Sequence, residues 1–133
     1  MGIYSSTGCG SYDGVKILIQ AKSQQCVTKP YGEFDAGDTL EWTGQLLGSC
    51  QSTHFDSTEE TISLWIKTNR DDSFCPIWVN LILDDKTSTF YSLPLPNGDW
   101  HNYDDKSNVT YTAKKLRKGK ICNTETVPSW FLT

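Results

Sequence analysis

"PIWVNLILD", residues 76–84, is the stretch whose reading decides the fold. Successive side chains of an extended strand point to opposite faces, so Ile77, Val79, Leu81 and Leu83 fall on one side and Trp78, Asn80 and Ile82 on the other. Both sides are largely apolar, which is the pattern of a central strand covered on most of both faces. Pro76 can open such a strand, because its first residue need not donate to the ladder. Aspartate pairs bound the run: Asp71 and Asp72 precede it, Asp84 and Asp85 follow it.

The neighbouring segments are short and mostly extended. "STFYSLPL" follows the turn "DDKT" and is expected to return antiparallel as a hairpin partner. "ETISLWIKT" alternates cleanly, with Ile62, Leu64 and Ile66 facing one way and Ser63, Trp65 and Lys67 the other. In "TLEWTGQL", Leu40 and Trp42 alternate with Thr39, Glu41 and Thr43. "VKILIQA" follows the turn "YDG", "QQCVTK" runs up to Pro30, and "VTYTAKKL" is the last strand; Trp130 and Phe131 of the tail "VPSWFLT" are expected to pack. Only "STEE", Ser57 to Glu60, resembles a helix start, and the strand period takes over at once. Seven to eight short strands separated by turn signals predict an all-β fold, an antiparallel β-sandwich in a single domain spanning residues 1–133.

A chain of 133 residues is large enough to bury a core without a metal. Hydrophobic residues at 37% and charged residues at 21% exclude a disordered polar chain, and no apolar run approaches the roughly 20 residues of a spanning helix. A net charge of −4 argues against nucleic acid as a partner. The cations nevertheless crowd into "KKLRKGK": Lys114, Lys115, Arg117, Lys118 and Lys120. Such a run can attract anionic lipid headgroups or sulfated polysaccharide, or it can serve as a solvated strand end that protects an edge.

Five cysteines, Cys9, Cys26, Cys50, Cys75 and Cys122, are dispersed, and none forms a CxxC pair. With two histidines in the chain, a structural zinc site would need scattered ligands. Two disulfides plus one odd thiol is the expected arrangement, which implies secretion or an extracellular setting, and the odd thiol would suit a disulfide-linked oligomer. The sequence leaves the pairing open. "MGIYSSTGCG" has neither the basic nor the apolar region of a signal peptide, and it fits the short acylation pattern at Gly2, which would place the protein in the cytoplasm instead. "NVT" at Asn108 is a glycosylation sequon that fits secretion.

The long connection "PNGDWHNYDDKSN", Pro96 to Asn108, offers a core little beyond Trp100 and Tyr103, and loops of this length are often functional. The two aspartate pairs around residues 76–84 lie at opposite ends of one strand and cannot share an ion. After the hairpin returns, the 96–108 loop comes back to the end that holds Asp71 and Asp72. Calcium prefers several hard oxygen ligands, so Asp71, Asp72, Asp99, Asp104 and Asp105 form the candidate calcium site, while Asp84 and Asp85 are expected only to turn the chain. Trp100, His101 and Tyr103 are the candidate ligand-binding residues: the rings can stack on a sugar or settle in a lipid interface, or Trp100 can fold back as a lid. An enzyme is not the expected reading. His54 and His101 lie in no nucleophile-elbow or HExxH context, and nothing beside Cys50 and His54 would lower the thiol pKa.

Gly37, "LLG" at Leu46 to Gly48, "ISLWIKTN", "IWVNLILDD", "TFYSLPL" and Trp100 follow one another in an order that resembles the PLAT domain, over about half of the chain. The resemblance implies a noncatalytic β-sandwich module that docks on a lipid surface or a protein partner, sometimes with calcium, with Trp100 and Tyr103 facing the membrane or partner. A carbohydrate-binding sandwich and a structural, disulfide-linked subunit of a larger assembly are the alternative expectations.

Overall fold

The structure is a computed structural model that describes residues 1–9, 14–22, 24–53, 59–68, 74–82, 89–95 and 109–117. Eight strands run as β1 (Gly2–Ser5), β2 (Lys16–Ala21), β3 (Gln24–Val27), β4 (Leu40–Trp42), β5 (Thr61–Lys67), β6 (Trp78–Ile82), β7 (Thr89–Pro94) and β8 (Tyr111–Arg117). All pair antiparallel in one sheet of order β3-β2-β5-β8-β7-β6-β1-β4. The all-β antiparallel fold is as the alternation predicts. Its facing layers are the two halves of a single curled sheet, which wraps one core.

The central-strand reading of residues 76–84 holds for β6, which lies between its hairpin partner β7 and β1. Val79 and Leu81 face Leu93 and Tyr91 across the hairpin and Ser5 and Ile3 on the other side. Ile77 departs from the pattern. The Ser6 hydroxyl oxygen accepts hydrogen bonds from the backbone N–H groups of Ile77 (2.7 Å) and Trp78 (2.9 Å); the strand begins at Trp78, two residues after Pro76, and Ile77 is 45% exposed. β1 itself carries too few apolar residues to announce a strand, yet its pairings with β6 and β4 put Ile3 in the core.

The inward side chains form one cluster drawn from all eight strands, including Ile3, Ile19, Trp42, Leu64, Tyr91 and Ala113. At one end an aromatic group closes it: Tyr31 meets Phe34 and Trp42 edge to face at 5.9 and 5.6 Å, and Phe34 meets Phe74 at 5.7 Å. Such edge-to-face pairs add to the burial of the rings.

An open sheet would leave β3 and β4 as unpaired edges, which invite association. Here a 3-10 segment, Gly44–Gln51, leads from β4 and lies along β3. Leu46 accepts from the Lys29 N–H (3.0 Å), Ser49 Oγ accepts from the Val27 N–H (2.8 Å), and the Trp42 indole N–H donates to the Lys29 carbonyl (3.1 Å). A disulfide between Cys26 and Cys50, with Cα atoms 4.9 Å apart, fixes the contact. The stretch "TLEWTGQL" predicts a strand through Leu46, but β4 ends at Trp42 and the positive φ of Gly44 (55°) turns the chain into the 3-10 segment.

The second disulfide joins Cys9 to Cys75 and ties the exit of β1 to the entry of β6, beside a Gly8 N–H bond to the Cys75 carbonyl (2.8 Å). The expected pair of disulfides is thus present, and Cys122 lies outside the described residues.

Candidate functional site

Because every neighbouring pair is antiparallel, β1, β3, β5 and β7 finish at one end of the sheet, where β2, β4, β6 and β8 begin. The connections β1–β2, β3–β4, β5–β6 and β7–β8 therefore all belong to that end, and their described parts hold one another. Thr7 Oγ1 donates to the Asp35 and Asp38 carbonyls, Gly37 N–H donates to the Thr7 carbonyl (2.9 Å), and Tyr31 bridges to Val15. The Leu95 N–H donates to the Ile77 carbonyl (2.6 Å), so the chain entering residues 96–108 is fixed to the entry of β6.

Thr68 and Phe74, which flank residues 69–73, stand at the same end as Leu95 and Val109, which flank residues 96–108. Ile82 and Thr89, which flank residues 83–88, stand at the opposite end. The candidates themselves (Asp71, Asp72, Asp99, Trp100, His101, Tyr103, Asp104 and Asp105) lie outside the described residues, as do Asp84, Asp85, His54 and Asn108. Among the described residues no group of three His, Cys, Asp or Glu side chains is placed to hold a metal.

Two features of this end were not singled out from sequence. Glu33, Asp35 and Asp38 are exposed on the β3–β4 connection, and Asp38 Oδ2 accepts the Asp35 N–H (3.0 Å), which shapes that turn. Ile77, the only large apolar side chain exposed among the described residues, stands beside Leu95.

Two members of the basic run point to opposite faces of β8. Strand alternation sends Lys114 outward, where it is exposed opposite Thr61 and Ser92, and Lys115 inward beside Tyr91. The Lys115 side chain is only 10% exposed, and its ammonium reaches Glu60 Oε1 at 4.0 Å. Arg117 ends β8 opposite Thr89, while Lys118 and Lys120 lie outside the described residues. Gly2, on which the acylation pattern rests, is buried within β1 and pairs with Ile82.

No helix among the described residues is long and apolar enough to cross a membrane. No family model, curated protein or solved structure matches the chain, so a functional reading rests on its own residues and geometry.

Proposed function

We propose that this chain is a secreted, noncatalytic β-sheet binding module that engages a lipid surface through the end where its four long connections gather. Residues 96–108 supply the contact, with Trp100, His101 and Tyr103 at the interface, and Asp71, Asp72, Asp99, Asp104 and Asp105 supply oxygen ligands for calcium between the protein and anionic headgroups. The single observation carrying this reading is that the described residues flanking 69–73 and 96–108 stand at the same end of the sheet. Ile77, exposed at that end and held through Ser6, adds an apolar side chain suited to the same contact. Two disulfides among the described residues fit an oxidising, extracellular setting.

The test is co-sedimentation of the intact, disulfide-bonded chain with vesicles containing phosphatidylserine, with calcium and with chelator. Binding should weaken on chelation and on Trp100→Ala. Retention unchanged by both treatments would remove the assignment.

A further inference from the structure

One half of the sheet carries the cations of the strands. The chain carries 16 Asp and Glu residues against 12 Lys and Arg, yet the strands hold a single carboxylate, Glu41 on β4, and every lysine and arginine of the strands lies on β2, β5 or β8. These strands are contiguous with one another and with β3, in the order β3-β2-β5-β8. Their register sorts the outward side chains into rows. Val27, Leu18 and Trp65 stand side by side across β3, β2 and β5, all half-buried. Next to them, Gln20 faces Ser63, which faces Thr112. On the other side of Trp65, Lys16 lies directly opposite Lys67, while exposed Lys114 stands beyond Ser63, opposite Thr61.

We propose that this face binds an acidic polysaccharide chain, with Trp65 as the ring on which a sugar stacks. An aromatic side chain beside Leu18 and Val27 offers a flat apolar surface with the amide and hydroxyl groups of the next row alongside, which matches a sugar ring with its apolar face and its rim of hydroxyls. The cations select an anionic chain. Exposed Lys16 and Lys114, on opposite sides of Trp65, would each pair with a carboxylate or sulfate of that chain. From Lys114 past Ser63 and Trp65 to Lys67 is three two-residue steps of about 7 Å, a track for several sugar residues rather than a pocket for one. On the opposite half, outward-facing Tyr4, Asn80, Ile82 and Ser92 are buried, and half-buried Trp78 packs against Tyr4 and Ile82. The disulfides favour an extracellular glycan over a nucleic acid as the anionic polymer.

This site is separate from the loop-bearing end, and one experiment keeps the two apart. Binding of the full, disulfide-bonded chain to heparin, polygalacturonate, dextran and a single-stranded DNA oligomer is measured by affinity electrophoresis and calorimetry across a salt series. We expect binding to heparin or polygalacturonate and none to dextran, with affinity falling as salt rises. Trp65→Ala should weaken it by about tenfold, and Lys16→Gln with Lys114→Gln should flatten the salt dependence without moving the unfolding transition. Trp100→Ala should leave this binding intact. The lysine pair decides the matter should Trp65→Ala not fold. The site is overturned by absence of binding to both acidic polysaccharides, by affinity unchanged in the variants, or by tighter binding to the DNA oligomer.

Discussion

The backbone of Gly48 lies so close to β3 that a Cβ placed on it would stand 2.6 Å from the Val27 carbonyl oxygen and 3.1 Å from the Lys29 nitrogen. Gly48 also has φ 57° and ψ −129°, a conformation that side chains strongly disfavour, and it kinks the 3-10 segment that joins the two sheet edges. Gly48→Ala should therefore destabilise the protein by about 2–4 kcal/mol, since strain and steric clash act together. Gly32, where nothing lies within 4 Å of an added Cβ, is the control. Gly32→Ala should change stability by no more than about 1 kcal/mol. Urea denaturation of both variants checks the contrast, and equal effects would mean the close approach to Val27 does not matter.

The two disulfides should differ in what their loss does. Cys9–Cys75 spans 66 residues of sequence and Cys26–Cys50 spans 24. Chain entropy alone gives about 4 kcal/mol for the longer loop and about 3.5 kcal/mol for the shorter. Removing Cys26–Cys50 by paired alanine substitution has a further consequence, because it releases the segment covering β3. Edge strands so released pair with other copies. The Cys26/Cys50 variant should thus associate with rising concentration in sedimentation experiments, while the Cys9/Cys75 variant should be less stable but remain monomeric.

How much of this was legible in the sequence depends on what each feature needs. The alternation of Ile62, Leu64 and Ile66 and of Val79 and Leu81 needs only the strand period, and these five side chains are buried as that period predicts. β1 was not legible because "GIYS" is a strand only by virtue of its neighbours, β4 and β6. Disulfide pairing was not legible either, as it follows from the meeting of β3 with a segment more than twenty residues later. The outward position of Trp65 can be read from β5 alone, but its row with Leu18 and Val27 requires the strand order. The candidate calcium and aromatic residues fall outside the described residues, and only the positions of their flanks bear on them.

Thr28 joins the irregular end of β3 to β2. Its buried Oγ1 accepts the Ile17 N–H at 2.9 Å, while its own N–H donates to the Ile17 carbonyl at 2.9 Å. Thr28→Val keeps the volume and removes the acceptor, which leaves a buried N–H without its bond and should cost about 1–3 kcal/mol. Thr28→Ser retains the hydroxyl and should lose less. Amide exchange at Ile17 provides the specific readout: strong acceleration in the valine variant is expected, and unchanged protection would show that this bond contributes little.

Lys115 and Glu60 form an ion pair whose two ends sit in different surroundings, and the stability effect should follow the surroundings rather than the pairing. The Lys115 side chain is 10% exposed against the inward face beside Tyr91, whereas that of Glu60 is 84% exposed. At 4.0 Å with one partner in water, the Coulomb gain is screened, so Glu60→Gln should change stability by less than about 0.5 kcal/mol. Lys115→Ala removes buried methylenes and should cost about 1–2 kcal/mol. Lys115→Met keeps that stem and should recover most of the loss. Urea midpoints for the three variants separate the two accounts. A Glu60→Gln cost equal to that of Lys115→Ala would assign the stabilisation to the charge pair instead of the buried stem.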